Sequence, residues 1–201
     1  MGLSIFDIAC TNDCDEVLLP ALPADPFCVP APVLSEVNSI ILTRVGGTNP
    51  IDWTVSPAEA VADTIDNTND DNTKSRQLVV SGEIPDHEPA IYVGPNFQES
   101  VVRRTETASL SIPVSDDNYD FLRNLQCSKV PGQWYFQYTT YGGKIFGGEN
   151  GITINALDVF LPKTRGLDGY EIGRITIKFE YVVAPQRSDN PLATTGGVGG
   201  V

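Results

Sequence analysis

Ile175, Ile177, Phe179, Tyr181 and Val183 alternate with Arg174, Thr176, Lys178 and Glu180 along one stretch of the chain. Successive side chains of a β-strand point to opposite faces, so this period of two requires a strand buried on one side and wet on the other. Such a strand has no stability alone and needs both sheet partners and a core to cover its apolar face. The fold is therefore built on a sheet.

Partners are available upstream. Ser39–Val45, Ile51–Val55, Gln77–Ile84, Ser100–Arg103 and Thr107–Val114 are short runs rich in β-branched and aromatic residues, separated by turn formers. Leu110, Ile112 and Val114 alternate with Ser109, Ser111 and Pro113, and Pro113, which has no N–H to donate, predicts a position near an edge. Further strands are expected over Gln133–Tyr141, Lys144–Phe146 and Ile152–Phe160. One helix is expected over Asp116–Gln126, with Ser115 as N-cap, two acids in its first turn, and Tyr119, Leu122 and Leu125 on one stripe that Phe121 widens. Pro57–Ile65 could form a second, short one.

The fold class is thus mainly β, a β-sandwich or small β-barrel with one flanking helix and an extended arm at each end. Residues 1–35 form the first arm: Pro20, Pro23, Pro26, Pro30 and Pro32 exclude a helix or central strand, while Val17, Leu18, Leu19, Phe27 and Val29 give it apolar surface to lay against something. Residues 36–185 are the β-rich domain. Residues 186–201 end in glycine and small residues and are expected to be a flexible tail. With 201 residues the chain is long enough for one domain with a real core. It has no apolar run long enough to span a bilayer and no basic-then-apolar leader, so a soluble protein made in the cytosol, with no membrane partner, is expected.

Charge is unevenly placed. Residues 1–73 hold twelve acids against Arg44 alone, whereas residues 74–201 hold fourteen acids and twelve bases, within a formal net charge of -13. Such a surface repels phosphate backbones and disfavours ordinary nucleic-acid binding, although an acidic wall can serve a nucleic acid by not adhering to it.

Chemistry is sparse. The one histidine, His87, has no nucleophile elbow or neighbouring cysteine and reads as a solvated loop residue. Cys10, Cys14, Cys28 and Cys127 are weak zinc candidates, with His87 as a possible substitute ligand, but their spacing is not that of paired knuckles, and ordinary thiols are the simpler reading beside a metal or disulfides. Asp63, Asp66, Asp70 and Asp71 invite a calcium reading, but lack the bend glycine and the closing bidentate Glu; a polar surface loop, or an acidic lumen, is the expectation. Gly142-Gly143-Lys144 lacks the Ser or Thr and the following helix of a phosphate loop and reads as a hairpin turn. Trp134, Tyr135, Phe136, Tyr138 and Tyr141 read as core and interface rather than a sugar platform. No catalytic or cofactor-binding residues are assigned.

From Thr107 to Pro185 the chain resembles bacteriophage tail-tube and related virion structural proteins. The resemblance rests on the alternating strand leading into the helix Ser115–Gln126, the aromatic strand Trp134–Tyr141, the segment Gly143-Lys144-Ile145-Phe146-Gly147, and the connection Leu157–Gly169 into the strand Tyr170–Val183. It implies a non-enzymatic subunit without cofactors, made in the host cytoplasm and located in the virion. Such a subunit assembles with itself into rings, hexameric in that family, that stack into a conduit for genomic DNA and contact other virion proteins. A capsid decoration, head–tail connector or collar-ring protein is the alternative within the virion. A β-sandwich glycan-binding module, using Trp134 and its neighbouring tyrosines with calcium in the acidic loop, is the alternative of another class.

Overall fold

The computed structural model describes residues 36–67, 73–84, 88–93, 99–127, 133–162, 171–181 and 184–192. All of them belong to one compact unit, Leu34–Val201, with Met1–Val33 forming a separate unit. In chain order the elements are β1 (Val37–Arg44), β2 (Ile51–Asp52), β3 (Glu59–Ala60), β4 (Arg76–Glu83), β5 (Glu88–Val93), β6 (Glu99–Val114), α1 (Asp116–Cys127), β7 (Trp134–Thr140), β8 (Lys144–Phe146), β9 (Ile152–Phe160), β10 (Glu171–Tyr181) and β11 (Arg187–Asp189).

Six of these strands close on themselves. β1 pairs with β4, β4 with β6, β6 with β10, β10 with β9, β9 with β7, and β7 with β1 again, every pairing antiparallel. Of the two expected architectures, the barrel is the one formed. Its longest ladder joins β10 to β6 without a register shift from Glu171↔Val114 to Tyr181↔Arg104. The alternation that predicted β10 decides which face turns inward: Ile175, Ile177 and Phe179 are buried, and Leu110, Ala108 and Ile112 of β6 meet them inside.

An eight-stranded barrel is just wide enough for side chains to fill it, so a six-stranded one is packed solid. Phe136 of β7 and Phe179 of β10 meet edge-to-face inside, with ring centroids 5.1 Å apart. Leu122 and Leu125 of α1, which packs against β9, complete this core. The helix matches its expected start, and Ser115 caps it: its carbonyl accepts from Tyr119 N–H at 3.0 Å while its own N–H donates to Asn118 Oδ1 at 2.9 Å. Asn118 thereby plays the part that Glu or Gln has in a capping box. Tyr119, expected on the buried stripe, is exposed.

A second apolar cluster lies outside the barrel wall. Ile41 of β1, Ile145 of β8, and Ile51, Trp53 and Ala58 around the β2–β3 ribbon pack together, with Ile65 and Leu192 against them. β1 is consequently buried on both faces, Ile40 and Leu42 inward and Ile41 outward, which is why its sequence runs Ile-Ile-Leu without alternation. Buried hydroxyls line the same outer side: Ser39 Oγ lies 2.6 Å from Thr139 Oγ1, and Thr43 Oγ1 lies 2.7 Å from Ser75 Oγ.

Four expectations are corrected. Pro57–Ile65 is not helical; Glu59–Ala60 forms β3 against β2, and Ala58 N–H donates to Ser188 Oγ at 2.9 Å. The strand expected over Ile51–Val55 stops at Asp52, whose carboxylate turns the chain by accepting from Thr54 N–H at 2.8 Å and Thr54 Oγ1 at 2.6 Å. The two strands Ser100–Arg103 and Thr107–Val114 are one continuous β6. Arg187–Asp189, assigned from the sequence to the tail, is β11, paired with β8 from Arg187↔Phe146 to Asp189↔Lys144. Pro113 lies in a strand of the closed barrel, yet beyond the last β4 pair, Ser81↔Ser111. Its carbonyl accepts from Asn118 Nδ2 at 2.9 Å, so the side that lacks an N–H faces no ladder.

Phe136→Ala should cost about 3–5 kcal/mol in denaturant unfolding, since it empties the centre of the barrel. Val79→Ala, at an exposed position on β4, should stay within about 0.5 kcal/mol of the parent.

Candidate assembly surfaces

β5 and the first part of β6 leave the barrel. Among the described residues β6 meets β10 from Arg104 onward, and Glu99–Arg103 pairs with β5, in the ladder that runs from Glu88↔Thr105 to Val93↔Glu99. Among the described residues this part of the ribbon has no third strand. Its side chains show this: Ile91, Tyr92 and Val93 are each more than half exposed. The outer edge of β5 pairs with no other strand among the described residues, which leaves backbone donors and acceptors free to take another strand. At the ribbon base Arg103 Nη1 stands 3.5 Å from Glu180 Oε2, an exposed ion pair of little energetic weight.

β11 is the opposite kind of edge. It is three residues long, reached through β8, and clasped by Asn190 N–H donating to Gly143 O at 2.8 Å and by an ion pair between Lys144 and Asp189. The glycines beneath it are turn formers, as expected: Gly143, Gly147 and Gly148 have φ of 73°, 134° and 65°. This places Lys144 in a hairpin rather than a phosphate loop.

The barrel mouth reached by the end of β10 holds the most perturbed titratable groups. Glu106 lies opposite Phe179 on the inner face, and its carboxylate accepts a hydrogen bond from Tyr181 Oη. Tyr138, stacked on Phe146 with centroids 4.7 Å apart, lies within reach of the same charge. Burial first, and then the Glu106 charge, push the Tyr138 and Tyr181 hydroxyls well above the usual phenol range. A phenol that donates to a carboxylate is held neutral, as Tyr181 is by Glu106, and Tyr138 feels the same negative charge without a hydrogen bond to it among the described contacts.

The residues singled out in the sequence are not brought together among the described residues. Cys127 is exposed at the end of α1, while Cys10, Cys14, Cys28, His87, Asp70 and Asp71 lie outside the described residues. Asp63 and Asp66 belong to a segment tied down through its backbone. Lys74 Nζ donates to Asp63 O at 2.6 Å, Arg76 Nη1 donates to Asp66 O, and Asn67 and Gln77 exchange two bonds of 2.9 Å. Two cations, Lys74 just before β4 and Arg76 at its start, therefore enter the acidic segment, an arrangement that sequence spacing does not display. No group of three His, Cys, Asp or Glu able to hold a metal occurs among the described residues. The aromatic strand is divided rather than presented as a platform: Phe136 is buried, Trp134 and Tyr138 pack on the barrel core, and Tyr141 is exposed. Glu106 with Tyr181 and the β5 edge went unnoticed in the sequence. The signal for the first was an acid in phase with Ala108, Leu110 and Ile112.

Comparison with protein-family models, with curated proteins and with solved structures gives no match. No helix among the described residues is long and apolar enough to cross a membrane.

The unfolded chain ionises its tyrosines near pH ~10, whereas folded Tyr138 and Tyr181 resist, so the stability they contribute is intact below about pH 10 and falls as pH rises above it. In a tyrosinate absorbance titration, two of the seven tyrosines should ionise only as the barrel unfolds, and Tyr138→Phe and Tyr181→Phe should each remove one. Ionisation of all seven together in the ordinary phenol range would contradict this.

Proposed function

We propose that this chain is a non-enzymatic structural subunit that assembles with itself, of the tail-tube type, forming rings that stack into a DNA conduit of a virion. The observation that carries the reading is the β5–β6 ribbon, which leaves a closed barrel with an edge that pairs with no other strand among the described residues and with three exposed apolar side chains in succession. A long, exposed, apolar edge is an aggregation hazard in a monomer and becomes an asset when each copy meets a defined neighbour.

The barrel itself contributes rigidity. Its interior is filled by side chains, so a channel for DNA has to be enclosed between subunits, as in a ring. The charge asymmetry suits that role: an acidic N-terminal third repels phosphate and lets DNA pass without adhesion.

Electron microscopy and sedimentation over a concentration series should show rings or tubes with the full chain. A protein that stays monomeric at the highest concentrations reached would overturn the reading. Ile91→Lys with Val93→Lys should raise the concentration needed for assembly about tenfold, equivalent to ~1.4 kcal/mol, while leaving the unfolding transition of the barrel in place.

A further inference from the structure

β6 has an exposed apolar surface at each of its ends. Toward its C-terminal end, Ser81, Ser111, Arg174 and Phe160 lie side by side across β4, β6, β10 and β9 on the outer face of the barrel. In the adjoining row exposed Pro113 faces Ile172, and Val79, two residues before Ser81, lies on the same side of the sheet. Val79, Ile172 and Phe160 are 68%, 61% and 58% exposed. Arg174, the one charged residue of these two rows, is exposed and forms no ion pair among the described residues. The row on the other side, Glu83, Ser109, Thr176 and Asp158, is acidic at both ends. A partner for this surface is therefore apolar, with its negative charge kept to Arg174 and away from the acidic row.

The ribbon at the other end of β6 has the matching composition. Residues 89–93 of β5 and 99–102 of β6 are apolar or hydroxyl-bearing apart from one carboxylate, Glu99, which the register sets opposite Val93. Ile91 and Val93, two positions apart, share one face of β5, and both are exposed. We propose that this face of the ribbon docks on the patch of Val79, Ile172 and Phe160 of a second copy of the chain, with Glu99 at Arg174. The inference rests on the assembly reading above and deepens it by naming the surface that receives the ribbon.

β6 itself selects a second copy over the same chain. Val101, the partner of Ile91, and Ser111, within the patch, lie on one continuous strand. At the rise of an extended chain they are ~33 Å apart, so a ribbon cannot return to its own patch. A two-fold union of like ribbons would leave Arg174 and the apolar side chains around it uncovered and would stop at a dimer. Ribbon on patch leaves every joined pair with one free ribbon and one free patch. The contact is therefore head-to-tail, the kind that closes into rings or continues as a filament.

The test places a photoreactive benzophenone at the exposed position 91 of the full chain, as Ile91→p-benzoylphenylalanine. Isotopically heavy and light protein are mixed as monomers, concentrated and irradiated. Mass spectrometry should find the benzophenone joined to peptides holding Val79, Phe160 or Ile172, with heavy–light pairs as frequent as random mixing allows. Links confined to chains of one isotope, or running to β5 or β11 of another copy, would overturn the inference. Unsubstituted protein run alongside separates the two failures: rings or tubes whose links miss the patch refute the docking alone, whereas the absence of any assembly refutes the reading it rests on. Phe160→Lys with Ile172→Lys should raise the assembly concentration about tenfold, with the unfolding transition of the barrel in place. Arg174→Glu should raise it about threefold, and adding Glu99→Arg to the same chain should bring it back. An unchanged value in either patch variant, or no recovery with Glu99→Arg, would likewise count against the contact.

Discussion

β1 pairs with β4 on one side and with β7 on the other, and that double pairing closes the barrel. Everything else depends on it. Its inward side chains, Ile40 and Leu42, meet the barrel core, and Ile41 meets the second cluster beneath the β2–β3 ribbon. A strand that satisfies both edges and both faces has no solvent-facing register to slip into, so it fixes the positions of its neighbours. The outer hydroxyls add direction to that constraint. Ser39 bonded to Thr139, and Thr43 to Ser75, are buried pairs that a shift of one residue would break, leaving polar groups without partners.

Closure also separates the molecule into a part that is finished and a part that is not. The six barrel strands use their ladders on each other. The ribbon of β5 and early β6, and the short β8–β11 branch, are additions at two different places on the ring. Charged and aromatic groups of the inner face gather where the packing ends: Glu106 is in phase with buried Ala108 and Leu110, yet lies far enough along β6 to meet the hydroxyl of Tyr181. A carboxylate there is tolerated because a donor accompanies it and solvent is near.

Much of this fold was legible in the sequence because period and turn chemistry are local. β10, β9, β7, β8 and α1 follow from alternation, glycine pairs and a capped amphipathic stripe, and their residues are those expected within a position or two. Closure was not legible, since a sandwich and a barrel use the same half-buried strands and differ only in which edges meet. β5 escaped because Glu88-Pro89-Ala90 reads as a breaker, and its pairing draws on Thr105–Glu99 across the hairpin. β11 escaped because Arg-Ser-Asp has no apolar alternation; a salt bridge and a ladder of three residues hold it. The acidic segment looked uniform in the sequence, and only the folded chain shows Lys74 and Arg76 reaching its carbonyls.

The two outlying strands are unlike. One is six residues long and apolar at its end; the other is three residues long and charged. A subunit whose open margins differ in length and chemistry can meet itself by joining unlike margins as well as by pairing like with like across a two-fold axis. Any row of copies joined from one margin to the other would have a front and a back, and its two ends would offer incoming material different surfaces. Polarity of that kind lets a structure begin at one fixed place and lengthen away from it, a property that would originate in a three-residue strand with no apolar side chain.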